Sequence, residues 1–124
     1  MKSLRELLVG QSVKEQKTLL FKSIDFSDVP DGSVTPFDKV IVPINFGGQI
    51  KVVSYILSNR RNGLIQWKSG SRPLSGILLL TGTGNNFGLA GTLESWLMET
   101  EINQPLILTI SNFDGGGHIS YFLE

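Results

Sequence analysis

Gly76-Ile77-Leu78-Leu79-Leu80-Thr81-Gly82-Thr83-Gly84-Asn85-Asn86-Phe87-Gly88 joins an unbroken apolar run to a glycine-rich loop. The run is too short to cross a membrane and lacks the polar alternation of a half-exposed strand. It therefore predicts a strand covered on both faces, at the centre of the fold. Glycines at 82, 84 and 88 let the backbone take positive φ and approach a ligand or a neighbouring chain closely. Core and functional loop are expected side by side.

Upstream, Leu20, Lys22, Ile24 and Phe26 alternate as a strand does within Thr18 to Phe26, and Asp28-Val29-Pro30-Asp31-Gly32 supplies turn chemistry in a loop over 27–36. Asp38 to Phe46 places Val40, Val42, Ile44 and Phe46 on one face; Gly47-Gly48 follows, then Gln49 to Ser58, rich in Val, Ile and Tyr. This pattern predicts a hairpin, with Pro43 marking its first strand as an edge or a bulge. Asn59-Arg60-Arg61-Asn62-Gly63 turns the chain into Leu64 to Lys68, which extends the hairpin to a meander of consecutive antiparallel strands.

Downstream, Leu89, Leu93, Trp96 and Leu97 share one helical face, which favours a helix over 90–102 despite Gly91 and two threonines. Leu106 to Phe113 reads as a strand, and Asp114-Gly115-Gly116-Gly117 as a hairpin turn into a last strand from His118 to Leu123. The whole is mainly β, a single-domain antiparallel β-sandwich or partly open barrel. At the start, Ser3 as N-cap, Glu6 three residues on, and Leu4, Leu7 and Leu8 before Gly10 describe a short capped helix. Residues 1–16 are thus expected to form a helical arm and 17–124 one β-rich domain. Leu4, Leu7 and Leu8 would be the arm's interface side chains.

Composition narrows the function. A chain of 124 residues can bury a core without staples, and without cysteine it has no disulfide, thiolate nucleophile or cysteine-held metal. Eleven basic and eleven acidic residues cancel, so no net field draws nucleic acid or an anionic membrane. The start lacks a signal peptide's long apolar centre and no run reaches the roughly 20 residues of a spanning helix. The expectation is a protein made in the cytoplasm, with no membrane or nucleic-acid partner.

Candidate chemistry is sparse. Gly82 and Gly84 follow a strand, as in a dinucleotide-binding unit, but the third glycine is misplaced and no acidic residue ends a following strand at the right distance. His118 is the sole histidine; Ser111 and Asp114 lie near it in sequence, although a triad is defined by geometry, and turn chemistry accounts for them better. Asp25, Asp28 and Asp31 lack the alternation and terminal Glu of an EF-hand calcium loop. Arg60, Arg61, Lys68 and Arg72 cluster about a turn that carries Trp67. Basic groups beside an aromatic can hold a phosphorylated ligand, and Trp67 with Tyr55 can stack on a sugar. The plain alternative is a solvated turn with a tryptophan in the core.

A terminal arm, a cysteine-free β-domain, few charges, many glycines and a final strand form a texture that resembles small structural subunits of bacteriophage particles. The resemblance is one of composition and carries no motif. It implies a non-enzymatic assembly subunit, such as a capsid, spike or tail component, working as a homo-oligomer or with other subunits and needing no cofactor. The alternative is a small ligand-binding β-module, carbohydrate ahead of nucleotide. Its site would be Tyr55, Arg60, Arg61 and Trp67 with Gly82, Gly84, Asn85 and Asn86 of the glycine loop.

Overall fold

Alternating apolar residues build strands with one oily face, and two such sheets pressed together bury both faces at once. The computed structural model describes residues 17–26, 36–80 and 86–124. The expected arm helix with Leu4, Leu7 and Leu8, the turn from Asp28 to Gly32, and Gly82, Gly84 and Asn85 lie outside the described residues. In chain order the strands are β1 (Leu20–Asp25), β2 (Phe37–Val42), β3 (Ile50–Asn59), β4 (Gly63–Ser69), β5 (Arg72–Pro73), β6 (Leu78–Leu80), β7 (Asn86–Ala90), β8 (Met98–Glu99), β9 (Leu106–Ser111) and β10 (Gly115–Leu123). Sheet A runs β1-β10-β3-β7, with β8 also on β3; sheet B runs β2-β9-β4-β5, with β6 also on β4. The protein is mainly β, with two antiparallel sheets in a sandwich-like arrangement.

One core draws on both sheets. Ile24, Ile50, Val52, Tyr55, Leu57 and Ile119 come from sheet A; Ile41, Ile65, Trp67, Leu106, Leu108 and Ile110 come from sheet B. Each of the larger aliphatic side chains, fully buried, contributes roughly 1.5–3 kcal/mol. Trp67 is wholly buried and its ring meets Tyr55 across the inter-sheet gap at 5.0 Å.

The expected meander is corrected. β2 pairs with β9 and β3 with β10, in different sheets, so Gly47-Gly48 carries the chain across the sandwich rather than round a hairpin. The same holds from β3 to β4 and from β9 to β10. Alternation and turn residues dictate strands and reversals, but a reversal into the facing sheet buries the same apolar face as one into the same sheet. Buried Asn59 holds two of these crossovers together: its Oδ1 accepts from Arg61 N at 3.2 Å and Asp114 N at 2.8 Å, and Arg60 N donates to Asp114 O at 2.8 Å.

Two further expectations are overturned. The apolar run at 76–80 is not central: β6 pairs only with β4 among the described residues, with Leu80 buried but Ile77 66% and Leu79 64% exposed. Its side chains alternate in and out like any margin strand, and its outward set is apolar instead of polar. The central strand of sheet A is β3. No helix forms over 90–102. Gly91 N donates to Val53 O at 2.7 Å and Leu97 N to Val52 O at 2.8 Å, so the backbone is tied to β3 instead of to its own preceding turn. Residues 91–97 instead loop over the outer face of sheet A, bringing Trp96 edge-on to Phe122 at 5.6 Å.

Candidate interaction surfaces

The aromatic pair expected to stack on a sugar points inward. Tyr55 alternates with outward Ser54 and Ile56, Trp67 with Gln66 and Lys68, and both rings are enclosed between the sheets. Burial pushes the Tyr55 phenol above its ordinary pKa, and the neighbouring Trp67 side chain offsets part of that rise. The contact falls outside hydrogen-bond geometry for the indole, whose buried Nε1 has no hydrogen-bond partner among the described residues. Both are core side chains, Trp67 at 0% and Tyr55 at 5% exposure.

The basic residues do not converge either. Arg60 and Arg61 stand on the crossover before β4, whereas Arg72 follows its far end, about 20 Å away at 3.3 Å per residue. Arg72 pairs with Glu101, and Lys68 lies 3.8 Å from Asp38. Asn86 and Gly88 belong to β7, opposite Ser58 and Ile56. His118 and Ser111 lie on opposite outer faces of the sandwich, since His118 pairs with outward Ile56 and Ser111 with outward Leu64. No triad is assembled. Among the described residues no group of three or more His, Cys, Asp or Glu side chains is placed to hold a metal.

What the fold does bring together is apolar surface. At one end of the sandwich the loop after β2 and the loop before β9 interlock: Gly47 N donates to Asn103 Oδ1 at 2.6 Å, Asn103 N to Gly48 O at 3.0 Å, and Gln49 Nε2 to Thr100 O at 2.9 Å. Gly47, at φ 80°, and Asn103, at φ 62°, supply the left-handed conformations this tip requires. The tip presents Phe46 at 87% exposure and Ile102 at 61%. Its rigidity means that a partner binding it would have little loop ordering left to do.

The second apolar region is the outer face of sheet B. Leu64 on β4, Leu79 on β6 and Ile77 just before β6 are exposed together. Pro36, Leu64, Ile77, Gln66, Lys68 and Thr109 help to line an open cleft of about 210 Å³. Sheet margins add single apolar side chains: Phe21 on β1, Val40 on β2 and Leu89 on β7. The sequence signal for the cleft was present in the apolar run at 76–80. It pointed to a core because the outward half of that run is as apolar as the inward half.

No family model and no curated protein matches this sequence. A crystal structure of PirA overlays with a TM-score of 0.28 at 14% identity, over 86% of this chain and 93% of that chain. That likeness is too slight to bear on function.

Proposed function

We propose that this chain is a non-enzymatic structural domain that works by self-association or by docking into a larger assembly, the role a bacteriophage capsid, spike or tail component plays. The observation that carries the reading is the placement of its exposed apolar residues. They gather on a locked tip (Phe46, Ile102), on the outer face of sheet B (Leu64, Ile77, Leu79) and along strand margins. Exposed apolar residues grouped on a tip and on one sheet face support an interaction role, and sheet margins can offer backbone groups for pairing as well. Zero formal net charge adds no long-range repulsion between copies. Light scattering after size exclusion tests it, on the full chain and on one lacking residues 1–16. Mass rising above 13.6 kDa with concentration supports it, and a mass fixed at 13.6 kDa at every concentration counts against self-association.

One observation favours a second reading, a neutral carbohydrate on the outer face of sheet A. Phe21, 77% exposed, stands in the same cross-strand row as Ser120 and Ser54, with His118 in the next row. An apolar ring beside hydroxyl and imidazole groups suits a sugar's two kinds of surface. Trp96 lies on that face, so its fluorescence during titration with a glycan and nucleotide panel reports binding. No saturable change with any sugar ends this reading.

A further inference from the structure

Each sheet ends in margin strands whose backbone could pair with another chain, and most of these margins are guarded. On β1, Lys22 stands opposite buried Ile119 in the inward row, and its Nζ donates to Ile41 O on β2 at 2.6 Å. On β2, Lys39 stands opposite buried Leu108, and the strand carries a bulge between Val40 and Val42. A charge in the inward row obstructs an added strand, and a bulge breaks its register. At the other side of sheet B, β5 is only Arg72–Pro73 and β6 only Leu78–Leu80, too short to template a partner. β7 has none of these devices. Asn86-Phe87-Gly88-Leu89-Ala90 carries no charge and no proline, and it pairs with β3 without a register shift.

The free side of β7 is self-complementary. Gly91 N donates to Val53 O at 2.7 Å, so by the alternation of an antiparallel ladder Leu89 and Phe87 bond to β3, while Asn86, Gly88 and Ala90 direct their N–H and C=O groups away from it. Those groups make no hydrogen bond among the described residues. We propose that β7 pairs antiparallel with β7 of a second copy about a two-fold axis at Gly88, so that the two A sheets become one. The inference rests on the assembly reading and specifies its contact. Gly88 then faces Gly88 of the second copy, Ala90 faces Asn86, and each such pair exchanges both of its N–H···O bonds. Leu89, 49% exposed at the margin, meets Phe87 of the second copy as a cross-strand apolar pair. The same patch serves both chains, so the contact is isologous and stops at two.

Sedimentation over a range of concentrations compares the full chain with Leu89→Lys, which gives β7 the inward-row charge of the guarded margins, and with Ala90→Pro, which removes an outward N–H that the described chain does not use. Both positions are exposed, so each variant should melt within a few degrees of the parent. The parent is expected to double its 13.6 kDa mass. Each variant should raise the dissociation constant at least about tenfold, the scale set by losing two hydrogen bonds from the contact. Because the chain has no cysteine, the register can be read separately: an oxidised mixture of Leu89→Cys and Phe87→Cys chains should link into dimers, since non-hydrogen-bonded neighbours lie about 4.5 Å apart, and Leu89→Cys alone should link far less. A parent that stays at 13.6 kDa overturns this contact and self-association with it. A parent that associates while either folded variant does so as tightly, or a mixture that links no better than Leu89→Cys alone, overturns the β7 contact only.

Discussion

On sheet A, Lys51 and Phe122 face outward at one end of β3 and β10, and the chain covers them with its own segment 91–97. On sheet B, Leu64, Ile77 and Leu79 face outward and no described residue closes over them. Both faces carry apolar residues that a solvated sheet would not. The covered face completes its packing in cis: Trp96 lies against Phe122, and the ammonium of Lys51 sits 4.3 Å from the Trp96 ring centroid while 3.3 Å from Glu99. Lys17 adds a second cation, 4.8 Å from the same ring, and donates to Leu93 O at 2.9 Å. The difference teaches that outward apolar residues in this fold are not by themselves evidence of a partner. They are evidence only where the chain has left them uncovered.

Substitutions on the two faces sharpen that contrast. Phe122→Ala should remove the most, about 3–5 kcal/mol in a denaturant melt, because a fully buried aromatic leaves a cavity that its neighbours fill poorly. Trp96→Ala, at the half-buried lid itself, should lose about 2 kcal/mol and turn the sheet A face into a second sticky surface, read as new binding of a hydrophobic dye. Lys51→Met keeps the stem and removes the charge; a loss of about 1 kcal/mol or less, shrinking at high salt, is expected for an aromatic contact and a partly exposed ion pair. On the bare face, Ile77→Ser and Leu79→Ser should change monomer stability by only about 0.5 kcal/mol, as exposed substitutions do. Should they destabilise the isolated chain as much as Phe122→Ala does, the bare face is not bare and the contrast collapses.

Strand positions were legible because period-two patterns from Leu20 to Ile24, Ser54 to Ser58 and Leu106 to Ile110 survive in the fold as inward and outward sets. Pairing was not legible, since Tyr55 and Trp67 satisfy their pattern equally well as same-sheet neighbours or as facing residues. The glycines were misread for a related reason. Gly115 to Gly117 was expected to be a turn, yet it is the first part of β10. A Cβ on Gly115 would lie 1.9 Å from Ser58 O and one on Gly117 1.9 Å from Ile56 O. These glycines permit close passage of two strands, and a sequence does not distinguish that need from the need to bend. The tip was legible in part, as Gly47-Gly48; what locks it, Asn103, lies 56 positions along the chain and leaves no local signature.

The alternation of strands between the sheets also bears on how the chain is made. β3 waits for β10 and β4 for β9, so the central pairings of both sheets join stretches that lie far apart in the sequence. With so many partners distant in sequence, the chain belongs among slow folders, on the millisecond to second scale. During that interval the Ile77 and Leu79 surface competes with the unformed core for any apolar neighbour. Sequence order therefore makes the nascent chain, more than the finished domain, the state most exposed to premature association.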